Sequence, residues 1–518
     1  MACSTRLSTG ESKITSVAVV TASQTFRLYE GRRPYPLVIG GEEVSTGESF
    51  AAIDPSTGTE WAQVAHAGEG EVDAAVTAAA RAFESWRTTG PALRQQLLLR
   101  CADVIEGAAE RWEQLLPTEN GRPRREVAIA DITASTAIFR YFAGIVRDNG
   151  GVTVPTEDDT SHVFTVREPL GVIAAIIPWN SPLITSAQKL APALAAGNTV
   201  VMKPSEFASP SVVELATLLG DILPPGAVNV VTGYGADVGA ALVAHPRVAK
   251  ISFTGGGAAA RRIMAAAAER LTPSLMELGG KSPMVVCADA DLEAAVQDAL
   301  LGIFLANGEV CFASSRLLVH EDVYDAFLDR FVVSASAVRV GHALDPETQL
   351  GPLVTAAHRD RVLEHIERAR AEGVELRLGG ERLELPGDLA RGNFVAPTIF
   401  ADPESRAAIT REEVFGPVAV VERWRDEDDA IARANATEYG LGAGVWTTDL
   451  ARAHRIAKRL EAGVVWVNKW FDTPPGSPMG GVKASGFGRE LCAETLHEYS
   501  APKTVNIGLS RERPAFWG

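Results

Sequence analysis

The chain has 518 residues, a formal charge of −16 at pH 7, 46% hydrophobic residues and 22% charged residues. That length exceeds one ordinary core and predicts two or three domains of soluble globular type. The acidic balance excludes nucleic acid or an anionic membrane as principal partner, because phosphate-binding surfaces need clustered Lys and Arg; the basic run 122–125 reads as solvated surface.

Residues 1–34 are rich in Ser, Thr and Gly without a sustained period and read as a flexible N-terminal extension. Residues 37–39 and Gly40-Gly41 suggest a hairpin arm, and Asp54-Pro55-Ser56-Thr57-Gly58 is turn chemistry throughout. Three helical patterns follow. The first carries Val72, Val76, Ala79, Phe83 and Trp86; the second Leu93, Leu97, Val104, Ile105 and Trp112; the third spans 132–145. Segment 148–169 changes to alternating Val and polar residues, which predicts an antiparallel ribbon whose edge needs cover, most naturally from another subunit.

From residue 171 wholly apolar strands alternate with helices: strands at 171–177, 199–202, 228–231 and 251–253, helices at 183–196, 210–219, 237–244 and 258–270. This is the pattern of a parallel sheet covered on both faces, with ligands expected beyond the C-terminal strand ends. A second alternation, from 284 to about 467, predicts a second α/β domain, and the tail strand 504–507 is a partner for the ribbon. No apolar run approaches the ~20 residues of a membrane span, and the patch at 17–20 is too short for a signal-peptide core. Five scattered cysteines give neither a disulfide framework nor a metal site, so a reducing, cytoplasmic setting without a metal is expected.

Several motifs carry chemistry. Phe304-Leu305-Ala306-Asn307-Gly308-Glu309-Val310-Cys311 sets one thiol after a Gly-bearing turn beyond an amphipathic helix. Met276-Glu277-Leu278-Gly279-Gly280-Lys281 sets a carboxylate ahead of two glycines that admit close approach. A nucleophile and a general base follow from that pair. Pro178-Trp179-Asn180 ends the first apolar strand, where an Asn amide is turn chemistry or an oxyanion donor. Lys203-Pro204-Ser205-Glu206 offers a cation and a carboxylate at a strand end, where Glu can hold a ribose and repel a 2′-phosphate, or where the two equally form a surface ion pair. Phe253-Thr254-Gly255-Gly256-Gly257 frees N–H groups at a helix start for an anion. Gly233-Tyr234-Gly235-Ala236-Asp237-Val238-Gly239 is spaced wrongly for a dinucleotide fingerprint and reads as a tight turn.

Joined in order with Glu413-Val414-Phe415-Gly416-Pro417 and Ser485-Gly486-Phe487-Gly488-Arg489-Glu490, these motifs resemble the NAD(P)-dependent aldehyde dehydrogenase superfamily across residues 37–508. The resemblance implies an α/β fold with a Rossmann-like parallel-sheet cofactor domain (35–147 and 170–279) and a second α/β catalytic domain (280–484). It also implies a small β oligomerisation ribbon (148–169 and 491–510) that makes a homodimer or homotetramer. It assigns Cys311 as nucleophile, Glu277 as base, Asn180 as oxyanion donor and Lys189 to the proton path. Ile177, Pro178, Trp179, Lys203, Glu206, Gly255, Gly256, Leu278, Gly279, Glu413 and Phe415 would hold NAD. Ser181, Leu305, Val310, Phe312, Asn468, Trp470 and Phe471 would line the pocket of a small-molecule aldehyde, with a lean to apolar or aromatic substrates.

The implied reaction is NAD-dependent oxidation to a carboxylic acid through a Cys thiohemiacetal and a thioester hydrolysed by Glu-activated water. The alternatives are a CoA-acylating semialdehyde dehydrogenase or an impaired binding protein on the same fold. Glu309, where the family often has Gln, would raise the thiol pKa unless it points away. Gly256-Gly257 in place of Ser-Thr and Ala260 in place of Gly bear on cofactor affinity, and Ala306 replaces a common Asn.

Overall fold

Side chains on alternate positions of Val172–Ile177 enter two different cores: Ile173, Ala175 and Ile177 face one, Val172, Ala174 and Ile176 the other. Burial on both faces is what an unbroken apolar run demands, and it makes this the centre of an eight-stranded sheet. The structure, a computed structural model, describes residues 18–19, 34–402, 404–511 and 517. The sheet runs Gly486–Phe487, Ser274–Glu277, Val248–Thr254, Val172–Ile177, Thr199–Pro204, Val228–Val230, Leu37–Ile39, Glu42–Val44. Its middle five strands are parallel, and short antiparallel strands close both edges. Glu69–Trp86 and Gly257–Ala268 cover one face, and Pro182–Ala196 and Pro210–Gly220 the other. Successive strands run outward in opposite directions from Val172–Ile177, so a crevice opens where its tip meets that of Val248–Thr254.

A seven-stranded sheet follows in the order Glu375–Leu378, Thr398–Ala401, Val418–Trp424, Arg316–His320, Pro283–Val286, Gly442–Trp446, Val464–Val467. All but the first strand are parallel. Only residues 278–282 link Glu277, at the C-terminal tip of the first sheet, to the start of Pro283–Val286. The link therefore joins a C-terminal strand end of one sheet to an N-terminal strand end of the other. The ribbon Thr153–Val154 and Ser161–Pro169 is extended by Ser500–Gly508, which pairs along its whole length from Ser500↔Pro169 to Gly508↔Ser161.

Three sequence expectations need correction. The second helical pattern is two helices, Pro91–Gly107 and Ala109–Asn120, broken at Ala108 (φ −95°, ψ 18°), where Gly107 weakens the last turn. The third begins earlier, through a π-helical stretch Val127–Ile132 ahead of Thr133–Gly144. The basic run 122–125 is not all solvated: Arg125 is exposed, but Arg122 is buried against Asp131 (2.9 Å) and Glu126 (3.5 Å). The proposed extension 1–34 lies outside the described residues, except for Pro34 and for Ala18–Val19, which pairs in parallel with Arg339–Val340.

Candidate active site

Cys311 owes its position to a strained turn. Helix Leu292–Phe304 is capped by the Asp291 carboxylate, which accepts from the N–H groups of Glu293 and Ala294. Beyond it Ala306 (φ 48°), Asn307 (φ 61°) and Gly308 (φ 74°) are all left-handed. Non-glycine residues hold that conformation only when their surroundings insist on it. Here the Glu126 carboxylate accepts from Ala306 N–H at 2.9 Å. Asn307 donates to Gly121 O (3.0 Å) and Pro352 O (2.9 Å) and accepts from Gly351 N–H (2.7 Å). A Cβ at Gly308 would collide with the Gly416 backbone and stand 2.8 Å from Pro417 N, so no larger residue fits.

Three other segments converge on this turn. Asn180 donates its amide to Glu309 O at 2.7 Å, which brings the tip of Val172–Ile177 against the residues preceding the thiol. A Cβ at Gly280 would meet Cys311 O at 2.6 Å. Glu277 is close enough that its charge, with that of Glu413, adds to burial in pushing the Cys311 thiol well above its ordinary range.

The Glu277 carboxyl is buried and neither oxygen has a hydrogen-bond partner. Burial first, then the Glu490 charge, raises its pKa well above the usual carboxylate range, against the pull of Lys189 and Arg489. Lys189 and Glu490, both fully buried, form an ion pair at 2.5 Å beside it. A Cβ at Gly480 would stand 2.7 Å from Glu277 Oε1, so that glycine makes room for the carboxylate.

Glu309 is turned toward other partners: it accepts from Val354 N–H at 3.0 Å and faces His358 at 3.5 Å, and burial raises its pKa well above the usual carboxylate range. His358 is neutral, burial pulling its pKa down to about 4. It bonds Phe415 O at 2.7 Å and Arg361 at 2.7 Å, which holds Phe415 in its left-handed backbone (φ 59°). The Trp179 ring packs edge-on against both His358 and Phe415. Glu413 accepts from Gly280 N–H at 2.9 Å, and burial raises its pKa to about 7. A Cβ at Gly279 would land on that carboxylate.

The crevice at the sheet's reversal point has the groups a dinucleotide needs. Lys203 is buried at the tip of Thr199–Pro204, 3.7 Å from the Glu206 carboxylate. Thr254 Oγ1, at the tip of Val248–Thr254, is buried without a partner. Helix Gly257–Ala268 starts at Gly256 with no side-chain cap, and a Cβ at Gly256 would meet nothing within 4 Å, so there is room beside the helix start. Ile177 and Leu278 sit beside these tips, and Gly255 N–H bonds Glu277 O. The loop 233–239 is a structural turn: Val238 packs over Gly233, and Asp237 bonds His66 at 2.9 Å.

The expected pocket residues divide. Phe312 contacts Phe471 and Trp466 with ring centroids 5.4 and 5.7 Å apart, while Leu305 and Val310 are half-buried beside the turn. Ser181 Oγ accepts from Arg122 at 3.0 Å. Trp470 is instead a core residue, 4% exposed, stacked on Trp446 and packed where Gly302 and Gly444 leave room for its ring. Asn468 uses both ends of its amide on the Thr447 backbone and so ties two strands together. Arg122, Glu126, Asn307, His358 and Glu490 were given no role by the sequence. Only Asn307 and Glu490 had a visible signal, each lying inside a glycine-bearing motif.

Comparison with known proteins points to one family. The profile described as "Aldehyde dehydrogenase family" matches residues 43–505. A betaine aldehyde dehydrogenase of Cereibacter sphaeroides is 44% identical over 468 residues, covering 90% of this chain and 95% of its own. PnpE from a Pseudomonas species superposes with a TM-score of 0.91 at 41% identity, over 93% of this chain and 100% of its own. An aldehyde dehydrogenase from Bacillus cereus, solved as an NAD+ complex, gives 0.90 at 39% identity, over 92% and 97%. A family match over residues 43–505 and 44% identity across 90% of its length show that the chain belongs to the aldehyde dehydrogenase family.

Proposed function

We propose that the protein oxidises an aldehyde to a carboxylic acid with NAD, using Cys311 as nucleophile and Glu277 as the base that activates water. The observation that carries this reading is the convergence on one loop of the half-buried Cys311 thiol, the buried, unpartnered Glu277 carboxyl and the Asn180 amide, which bonds Glu309 O at 2.7 Å. Lys203 and Glu206 would hold the adenosine ribose, and the N–H groups opening helix Gly257–Ala268 would meet the pyrophosphate. Ile177, Pro178, Trp179, Gly255, Leu278, Gly279, Glu413 and Phe415 would frame the rest. Bound NAD supplies an electrophilic nicotinamide that accepts the hydride lost by the substrate carbon.

The chain's own residues do the remainder. Cys311, whose raised pKa leaves only a small thiolate fraction, passes its proton to solvent and adds through Sγ to the carbonyl carbon, and the oxygen that becomes negative is met by the Asn180 amide. For this Asn180 must exchange its bond to Glu309 O for one to the substrate, a donor worth about 2.7–4 kcal/mol of barrier. After oxidation the substrate is a thioester on Cys311. Glu277 takes a proton from water, the hydroxide adds to the thioester carbon, and the Cys311 C–S bond breaks to release carboxylate. Lys189 and Glu490, paired beside Glu277, suit a path that carries that proton away. Since burial keeps Glu277 protonated to well above the usual range, hydrolysis should strengthen as pH rises through its raised pKa.

The aromatic surface of Phe312 and Phe471 suits an apolar or aromatic aldehyde, and it also attracts a quaternary ammonium group by cation–π contact. The betaine aldehyde dehydrogenase similarity makes the second case worth equal trial. The half-exposed ribbon and its tail strand suit pairing between copies as homodimer or homotetramer. Among the described residues no helix is long and apolar enough to cross a membrane. NADH formation across apolar, aromatic, carboxylated and trimethylammonium aldehydes, with parent and Cys311→Ala, tests the proposal. The parent should turn over at least one class and the variant none; equal turnover by the variant would overturn it.

A further inference from the structure

Away from the catalytic seam, a cavity of about 340 Å³ at the root of the ribbon is walled by Arg87, Arg94, Arg147, Arg167, Asn149 and Pro91. Four arginines facing one opening stand out in a chain with 65 acidic and 49 basic residues. Among the described residues no carboxylate lies within 4.0 Å of any of the four guanidiniums. Nor are all four ordinary solvated surface. Arg94 and Arg167 are half-buried, and Arg94 Nε is buried with no hydrogen-bond partner.

Burial lowers the pKa of both Arg94 and Arg167, with no neighbouring charge offsetting it. Arg167 is aimed by bonds from Nε to Ser500 Oγ (2.8 Å) and from Nη2 to His497 O (2.9 Å) and Ser500 O (3.0 Å), leaving Nη1 without an acceptor. Arg94 stands in the first turn of helix Pro91–Gly107, whose start at Gly90 has no side-chain cap and no acidic residue. A cation at that end opposes the helix dipole, so the helix start adds to the positive potential. At the rim Arg147 is exposed, and Arg87 lies over the Phe83 ring at 5.2 Å.

A desolvated guanidinium without a counter-ion costs stability that a bound oxyanion would restore. The forked N–H geometry of Arg matches phosphate oxygens two at a time. We propose that this four-arginine cavity binds a small phosphate-bearing anion, one per chain, at a site separate from the dinucleotide crevice.

The test uses the full-length protein saturated with NAD, so that the nucleotide site is filled, in low salt. Inorganic phosphate and pyrophosphate are titrated calorimetrically into the parent and into R87A/R147A, whose changed residues are both exposed. One site per chain is expected in the parent, with affinity falling as NaCl is added. The double variant should bind at least about tenfold more weakly, for two lost charge-assisted contacts, while aldehyde oxidation is unchanged. Absence of binding in the parent, or equal affinity in the variant, would overturn the proposal. So would dissociation of the variant's assembly in sedimentation with no phosphate uptake by the parent, since the arginines would then meet carboxylates of a second copy.

Discussion

Glu126 offers a quantitative handle on the turn that presents Cys311. Its carboxylate is buried, accepts from Ala306 N–H at 2.9 Å and lies 3.5 Å from Arg122. Burial, outweighing Arg122, raises its pKa from 4.5 to about 7. That interval, at about 1.4 kcal/mol per pH unit, is about 3 kcal/mol. Below about pH 4.5 folded and unfolded chains both hold the proton and the penalty is absent. Between there and pH 7 the unfolded chain has ionised while the folded chain still binds a proton, so stability falls as pH rises and levels off above. Glu126→Gln keeps an oxygen for Ala306 N–H and removes the titration. Urea unfolding followed by tryptophan fluorescence at several pH values should show the variant gaining about 3 kcal/mol on the parent between pH 4.5 and 8. Parallel curves would refute the burial argument.

Further outcomes follow from the same geometry. Glu309→Gln should leave the pH profile of Cys311 alkylation by iodoacetamide unchanged, because that carboxylate faces Val354 and His358; a profile displaced by a full pH unit would contradict this. Gly279→Ala puts a methyl group onto Glu413, 2.6 Å from its carboxyl carbon, and should cost about tenfold or more in kcat/KM, since small displacements in such a site are expensive. Glu206→Gln should narrow the preference for NAD over NADP by at least about tenfold, measured as a ratio of kcat/KM values, because a carboxylate there repels a 2′-phosphate.

The two sheets were legible in the sequence because parallel strands buried on both faces leave unbroken apolar runs such as Val172–Ile177, which no solvated strand can carry. Cys311, Glu277 and Asn180 were legible as candidates because each sits in a short motif of glycine or proline beside a reactive group. The braces were not. Glu126 reaches Ala306 across 180 residues, and its neighbour Arg122 looked like part of a solvated basic run. Its burial depends on Asp131 arriving through a π-helical stretch that periodicity does not reveal. Trp470 was misplaced for a related reason: its neighbour Phe471 does pack on Phe312, and nothing local says that Gly302 and Gly444 open a core slot for the indole.

The central claim is a covalent bond to one sulfur that one carboxylate helps to break. It is tested by mass spectrometry of Glu277→Gln after mixing with NAD and a turned-over aldehyde. An acyl adduct on the peptide bearing Cys311 should accumulate, with a burst of about one NADH per active site and little turnover after it. Turnover at the parent rate with no adduct, or an adduct on Cys101, Cys287 or Cys492, would contradict the account.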